Sequence, residues 1–266
     1  MKVLHAFLAI LALAASALFV PASATSYSTD QSDLWWNPTE SGWGIQFVHR
    51  GDIIFATMFV YDPSHVPIWY GGTLYPTGAS LTWSGANYET SGPWFGNVPF
   101  DPAQVSNRIV GTMTWAATST TTGTLTYTVD GVSVSKLLTR QTLVYDDYSG
   151  TFQGAIHRQA GGCSNPMNDV TDELGAGLFI EQSGTSMNVT TSDALGAVCT
   201  YTGTLSQSGQ MGSIDGTYSC NTGDGGNFNM FELQVNISSL SGRFAESSDL
   251  TGCVSNGWFG AMRHAP

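Results

Sequence analysis

The chain contains the same short motif twice, and this repeat constrains its fold more than any other feature. Glu40 stands two residues before Gly42-Trp-Gly44, and Glu173 stands two residues before Gly175-Ala-Gly177. An alternating apolar segment follows each copy. The offset is 133 residues at the two glutamates and 131 at a leucine further along each copy. Such a near-constant offset is typical of an internal duplication, so the sequence predicts one module used twice.

Alternating apolar segments and short Gly-rich or Asp-rich turns predict that each module is built from β-strands. Asp130-Gly131, between two alternating segments, is the strongest hairpin signal. The predicted strands are 44–49, 53–61, 67–75, 81–88, 109–117, 124–129 and 132–143, then 150–158, 177–182, 186–191, 196–205, 211–220, 228–235, 240–244 and 257–264. We therefore expect an all-β fold of two tandem antiparallel up-and-down β-barrels, or strongly curved meander sheets.

The N-terminal residues have the features of an export signal. A basic opening precedes an apolar run over 6–20, and Ala22-Ser-Ala24 offers the small residues that a signal peptidase reads. An uncleaved membrane anchor is the alternative, but the run is short for a bilayer span. The expected organisation is a signal peptide at 1–24, a flexible segment at 25–33, a Trp-rich barrel at 34–145 and a second barrel at 146–266. This organisation predicts a secreted, periplasmic or cell-surface protein.

The charge balance limits the classes of partner. Lys and Arg number 8 against 20 Asp and Glu, and the formal net charge is −12. Nucleic acids and anionic membrane surfaces require a basic footprint, so neither is expected as a partner. No second apolar segment predicts a membrane span.

The four cysteines all lie in the second half, and an even number in an exported chain predicts disulfide bonds. The hairpin predicted from 196–205 and 211–220 places Cys199 close to Cys220. If the second barrel closes by pairing its first and last strands, Cys163 and Cys253 meet at one rim. A metal site is the alternative, but no Cys-x-x-Cys or His–Cys spacing supports it. No metal or cofactor is therefore expected.

One part of the first half resembles a motif of many exported bacterial proteins. It consists of Trp35-Trp-Asn-Pro-Thr-Glu-Ser-Gly-Trp-Gly44, followed by Phe55-Ala-Thr57 and Pro67-Ile-Trp-Tyr70. In the second half, the segment from Gly212 to Cys220 and Gly242-Arg-Phe244 resemble domains found beside that motif. The resemblance implies an exported location and a domain type rather than an activity. More loosely, the Gly- and Trp-containing openings and the eight-strand meander are similar to avidin-like and lipocalin-like barrels, a likeness of fold that assigns no ligand.

Motifs for catalysis are missing from the sequence. It has no Gly-x-Ser-x-Gly nucleophile elbow and no His-Glu-x-x-His metal motif. A carboxylate pair for glycoside hydrolysis stays open as an alternative. Glu40 and Glu173 are the obvious pair, but two separate barrels should hold them too far apart to cooperate.

Three residues of the repeated motif are predicted to be structural. Glu40 and Glu173 are interpreted as acceptors of backbone N–H groups beside the Gly-x-Gly turns. Trp43 lies between two glycines, which leave room for its ring to close a barrel end by packing.

The aromatic residues favour a binding role. Seven of the eight Trp residues lie in the first half, and Trp offers a large apolar face with one polar group. Four of them lie on or beside predicted strands and are expected in the core: Trp43, Trp69, Trp83 and Trp115. Three lie in predicted irregular segments and are expected to line a barrel mouth or a surface patch: Trp35, Trp36 and Trp94. Glu232, if it faces the barrel interior with its apolar strand neighbours, is a further ligand-binding candidate, because an unpaired buried charge is costly.

The sequence therefore favours a secreted, non-catalytic binding protein whose first barrel engages a small molecule, a glycan or a protein. A structural or inhibitor-like exported protein is the second hypothesis. A carboxylate-dependent hydrolase is the third.

Overall fold

The computed structural model describes residues 29–264, which form two closed β-barrels that follow one another along the chain. The predicted signal peptide and residues 25–28 lie outside the described residues. Within 29–264, the helical structure consists of two short 3₁₀ turns, Pro102–Gln104 and Pro166–Asn168. The prediction of two tandem antiparallel up-and-down barrels is confirmed.

The first barrel has eight strands, each hydrogen-bonded to the next in sequence. β1 (Asp33–Trp36) also pairs with the last strand and so closes the barrel. The other strands are β2 (Gly44–Arg50), β3 (Ile53–Tyr61), β4 (Pro67–Pro76), β5 (Thr82–Ser91), β6 (Ser106–Ala117), β7 (Thr122–Val129) and β8 (Val132–Arg140).

The second barrel repeats this order and closes by pairing its first strand with its last. Its strands are β9 (Gly150–Gly161), β10 (Thr171–Ser183), β11 (Ser186–Asp193), β12 (Val198–Ser208), β13 (Met211–Cys220), β14 (Gly225–Val235), β15 (Ser239–Ser248) and β16 (Val254–Arg263). The repeated motif of the sequence precedes β2 in the first barrel and lies within β10 in the second. Both are the second strand of their barrel, so the two sequence repeats correspond to equivalent strands.

Aromatic rings fill the interior of the first barrel. Trp35 and Trp115 are completely buried, and their ring centroids lie 4.6 Å apart in an edge-to-face arrangement. Phe47 packs on both rings, and Trp83 is buried as predicted. The prediction that Trp35 lies in an irregular segment at a barrel mouth is wrong, because β1 carries it into the core. Trp69 was expected in the core, but its side chain lies on the outer face of β4 and is 46% exposed.

The segment before β1 is also part of the first barrel. Gln31 is completely buried, its carbonyl accepts a hydrogen bond from Trp35 Nε1 (2.9 Å) and its side-chain oxygen accepts one from Trp115 Nε1 (3.0 Å). Its backbone N–H donates to His49 Nδ1 at 3.2 Å. These contacts satisfy the polar groups of two buried indoles, as burial requires. Gln31, within the segment predicted to be flexible (25–33), therefore contacts the core of the first barrel.

The predicted disulfide pairing is confirmed. Cys199 and Cys220 are directly opposite each other on β12 and β13 and are bonded. Cys163 follows β9 and Cys253 precedes β16, and antiparallel pairing of these two strands brings the two cysteines together into the second bond. Both bonds lie within the second barrel, whose apolar core is separate from that of the first.

A polar contact joins the two barrels. The β12–β13 turn of the second barrel reaches Asp33 of the first, whose carboxylate accepts a hydrogen bond from the backbone N–H of Gln210 at 2.9 Å. At Gly209, which has a φ of +60°, a Cβ atom would lie only 2.0 Å from the Asp33 carboxylate. Only glycine allows this close approach. Nearby, Gly209 N–H donates to the Thr142 hydroxyl at 2.9 Å, which ties the linker between the barrels to the same turn.

Candidate functional site

The second barrel has an open cavity of about 190 Å³ at one end. Its lining residues include Ala197 just before β12, Cys199 and Tyr201 at the start of that strand, and Asp224 in the turn before β14. The other end of β12 carries the turn that contacts the first barrel. The cavity therefore opens at the end of the second barrel that faces away from that contact.

The cavity exists because the inward positions of the second barrel carry smaller side chains than those of the first. The only Trp of the second half, Trp258, lies on the outer face of β16 and is 55% exposed. At the inward position Gly257 a Cβ atom would lie 2.7 Å from the ring of Phe244, so the ring occupies the space of a missing side chain. The apolar residues that line the cavity include Ile156, Ala176, Leu178, Met230, Phe244 and Phe259.

Glu246 carries a carboxylate into this apolar space. It is located on β15 two residues after Phe244, and the Tyr201 hydroxyl donates a hydrogen bond to its Oε2 at 3.3 Å. Burial raises the pKa of the Glu246 carboxyl above its usual value, and Arg158 and the Tyr201 hydrogen bond oppose that rise. Burial also raises the pKa of the Tyr201 hydroxyl, which therefore stays a donor.

Arg158 brings a positive charge to the same cavity from β9. Its Nη2 donates to Asp172 Oδ2 on β10 at 2.5 Å, and their side chains are about one-third exposed. Within the described part of the chain, its buried Nε has no hydrogen-bond partner. A buried donor without a partner is costly, and this atom has no accessible surface through which a ligand could satisfy it.

The two other acidic residues of the cavity are held by the protein itself. Asp224 accepts hydrogen bonds from the Ser248 hydroxyl at 2.6 Å and from the backbone N–H of Gly225 at 2.9 Å. Asp193 accepts from two backbone N–H groups of the turn after β11. Carboxylates with such partners organise turns.

Both disulfide bonds lie at the open end. Cys199 and Cys220 line the cavity itself. The Cys163–Cys253 bond joins the loop after β9 to the turn before β16, and these segments belong to the same end of the barrel. The two bonds therefore brace the rim of the cavity.

The structure does not bring the predicted Trp ligand contacts together at one site. Trp35 is inside the first barrel, Trp36 is half-buried on β1, and Trp94 is 66% exposed in the loop between β5 and β6. Trp94 contacts the ring of Phe95, with ring centroids 5.5 Å apart. None of the three lines the cavity of the second barrel. A ligand contact by Trp36 or Trp94 stays a prediction.

Glu232 does not share the interior face with Phe228 and Met230. A bulge in β14 gives it a φ of +53° and turns its carboxylate away from the interior. The carboxylate accepts a hydrogen bond from the Thr29 hydroxyl at 2.7 Å and lines a polar groove next to Thr120 of the first barrel. Its position is therefore between the barrels, so the condition of an interior carboxylate is not met, and a ligand contact by Glu232 stays a prediction.

Glu40 and Trp43 form a small cluster at the outer end of the first barrel. Lys136 Nζ lies 2.7 Å from Glu40 Oε1, and Trp43 Nε1 donates to Oε2 at 3.1 Å. The hydrogen bond from Lys136 lowers the pKa of the Glu40 carboxyl. The donors are thus side chains rather than the predicted backbone N–H groups. Trp43 is half-buried and packs against the core, and a structural role for it stays a prediction.

Glu173 has a different environment from Glu40. It is located on the outer face of β10, its side chain is 74% exposed, and its carboxylate lies 2.5 Å from His157 Nδ1. The His157 ring stacks on Trp258, with centroids 3.9 Å apart. The prediction that Glu173 supports a Gly-x-Gly turn through backbone N–H groups is wrong, because the second copy of the motif lies within a strand.

Arg158, Tyr201 and Glu246 were not among the site residues predicted from the sequence. Strand alternation could have placed two of them in the barrel interior. Arg158 follows Ile156 by two residues and Glu246 follows Phe244 by two, so each lies on the same face of its strand as an apolar residue. A charged residue in phase with inward apolar positions indicates a polar group in a barrel interior.

Comparisons with known proteins assign no family. No protein-family model matches the sequence, and no curated protein matches it. The chain is similar to the crystal structure of a candidate outer membrane protein from Bacteroides fragilis, with 12% sequence identity and a TM-score of 0.34. That alignment covers 88% of this chain and 98% of the other.

Three further observations concern residues 29–264. They form no helix that is long and apolar enough to cross a membrane. They contain no group of three or more His, Cys, Asp or Glu side chains arranged to hold a metal ion. Both disulfide bonds are formed, which is typical of proteins in an oxidising environment outside the cytoplasm.

Proposed function

We propose that the protein is an exported, non-catalytic binding protein that holds a small, mainly apolar molecule in the open end of its second barrel. The observation that carries this proposal is the cavity of about 190 Å³ with an apolar floor and a few polar side chains at its mouth. Small-molecule sites have this composition, and barrel mouths are a common place for them. An engineered apolar cavity of about 150 Å³ holds benzene, so a ligand with one ring fits this volume.

The first barrel offers less support for a ligand in its interior. The rings of Trp35, Trp83 and Trp115 occupy its core, and Gln31 binds the polar edges of two of them. The proposal therefore moves the expected site from the first barrel to the second. The Trp-rich half then has a core filled by its own rings, and it contacts the second barrel through Asp33.

Binding is favoured over hydrolysis by the state of the cavity carboxylates. A hydrolytic pair needs two carboxylates that both face the substrate. Asp193 and Asp224 already accept hydrogen bonds from the turns that they organise, which leaves Glu246 as the carboxylate that faces the open space. The two disulfide bonds at the rim support a role outside the cytoplasm, in agreement with the resemblance of the Trp35–Gly44 motif to exported proteins.

The test uses four one-ring probes: toluene, benzyl alcohol, benzylammonium and benzoate. Saturation-transfer NMR on the whole protein should detect binding of at least one of them. Ala197→Trp places a large ring at the mouth of the cavity and should abolish this binding. Ala155→Trp is the matched control, because Ala155 is exposed on the outer face of β9 and does not line the cavity. Absence of binding by all four probes, or binding that persists in Ala197→Trp, contradicts the proposal.

A further inference from the structure

The outer surface of the first barrel carries a group of half-exposed aromatic side chains on neighbouring strands, which we call the aromatic face. Phe59 on β3 is directly opposite Trp69 on β4, and Phe55 lies four residues before Phe59, next to Val48 of β2. The five aromatic residues of this face are 46–58% exposed: Phe55, Phe59, Tyr61, Trp69 and Tyr75. A contiguous exposed apolar group of this kind marks an interaction surface, whereas single exposed apolar residues do not.

The second barrel is polar at the equivalent positions. At the repeat offsets of 133 and 131 residues, the counterparts of Phe55, Phe59, Trp69 and Tyr75 are Asn188, Ser192, Thr200 and Ser206. Because the same strands form the same barrel with Ser, Thr and Asn at these positions, formation of the barrel does not require aromatic residues there. The aromatic face is therefore a property of the first barrel that its fold leaves unexplained.

This face is almost free of charge, although the chain is strongly acidic. Among the outward positions of β2, β3 and β4, the charged residue is Arg50, at the end of β2. Gln46 and Thr57, which pair across β2 and β3, separate the aromatic residues. The formal net charge of −12 opposes the approach of a second copy of the chain. Through the aromatic face, two copies can meet without placing carboxylates opposite one another.

The exposed area of the aromatic face approaches what a stable dimer requires. Phe, Tyr and Trp side chains bury about 150–250 Å² each, so five half-exposed ones offer roughly 400–650 Å² to a partner. Val48 and Ile53 are also exposed at this face and extend its apolar area. Each partner in an interface of standard size buries about 800 Å². The aromatic face and its polar neighbours are therefore large enough to form such an interface.

We propose that two copies of this chain associate through their aromatic faces into a symmetric dimer. In a two-fold symmetric contact both copies use the same surface, so one apolar face per chain is sufficient. A head-to-tail contact would need a second, complementary surface, and the equivalent face of the second barrel is polar. The cavity of the second barrel takes no part in this contact, so the inference is independent of the proposed function.

The experiment is sedimentation velocity on the whole protein. At about 100 µM the protein should have the mass of two chains, because interfaces of standard size have micromolar or tighter dissociation constants. Phe59→Glu places a carboxylate on both sides of the contact and should weaken the dimer at least about tenfold. Phe179→Glu is the matched control, because Phe179 is exposed to a similar extent on β10 of the second barrel. This control should leave the dissociation constant of the dimer unchanged.

A mass of one chain at this concentration overturns the inference. If that monomer binds the neutral oligosaccharide cellohexaose, and Trp69→Ala abolishes the binding, the occupant of the aromatic face is a glycan instead. A dimer that is as tight in Phe59→Glu as in the unmodified protein also overturns the inference, because its contact then lies elsewhere. Equal weakening by Phe179→Glu has the same meaning. If Phe59→Glu does not fold, Trp69→Glu replaces it, with the same expected weakening.

Discussion

Arg140 should contribute strongly to stability because its charge is completely buried. Its side chain is 0% exposed and forms an ion pair of 3.1 Å with Asp33. It also donates to the carbonyls of Ser32 at 3.0 Å, Thr120 at 2.7 Å and Asp30. Its guanidinium carbon lies 4.6 Å from the ring centroid of Trp35. Arg140 thus holds the segment before β1 and the β6–β7 turn against the end of β8.

Arg140→Met preserves much of the side-chain volume but leaves the Asp33 carboxylate and three carbonyls without this donor. Removal of one partner of a buried ion pair costs about 3–5 kcal/mol, and we expect a loss of this size in the free energy of unfolding. The assay is urea denaturation monitored by Trp fluorescence. Trp35 and Trp115 are buried in the core of the first barrel, so their fluorescence changes when that barrel unfolds.

Arg108→Met is the matched control. Arg108 also binds two carboxylates, Asp130 and Glu89, but its side chain is 56% exposed. Exposed ion pairs contribute about 0–1 kcal/mol, so this variant should be close to the unmodified protein. Equal losses for the two variants, or a loss below about 1 kcal/mol for Arg140→Met, would refute the reasoning from burial.

Two further predictions concern disulfide bonds and pH. Replacement of the Cys163–Cys253 pair by Ala should destabilise the second barrel by about 4–5 kcal/mol, against about 3 kcal/mol for the Cys199–Cys220 pair, since the sequence separations are 90 and 21 residues. Calorimetry should show a lower unfolding temperature for the second barrel only. If the unfolding temperatures of both barrels fall together, the two barrels do not unfold as separate cores. Burial lowers the pKa of His49 below its usual value of 6.5, against the opposing charges of Asp30 and Asp52. The unfolded chain therefore takes up a proton first, and stability should fall as the pH drops below about 6.5, until the folded-state pKa is reached. His49→Gln should flatten this part of the curve of unfolding free energy against pH. Parallel curves for the variant and the unmodified protein would show that His49 does not cause the loss of stability.

Most strands could be predicted because each carries its own signal. For β3 and β13, the alternating apolar residues and the flanking turn residues indicated the same strand ends. The predicted bounds, 53–61 and 211–220, match the structure. The disulfide pairing followed from a single topological assumption, closure of the second barrel. The local sequence was sufficient to predict a strand wherever its alternation pattern and its flanking turn residues indicated the same bounds.

The first strand was missed because its signal is not local. β1 has four residues, is followed by Asn37-Pro38, and becomes a strand by pairing with β2 and β8. Its inward face, and hence the burial of Trp35, depends on that closure. At β4 the alternation was readable, but the choice of inward residue between Trp69 and Tyr70 depended on register with the neighbouring strands.

The cavity could not be predicted from one strand at a time. Its volume depends on the inward positions of several strands together, among them Ala176 on β10, which carries a small side chain. The inward direction of Glu246 was readable from alternation with Phe244. Its position in the same cavity as Arg158 required the pairing of β9, β15 and β16.

The most direct test of the account is to locate a bound probe by intermolecular NOEs. Benzyl alcohol added to the whole protein should show NOEs from its ring protons to the methyl groups of Ala176 and Met230, which line the second-barrel cavity. NOEs to Trp94 or Trp36 of the first barrel, with none to Ala176 and Met230, would contradict the assignment of the binding site to the second barrel.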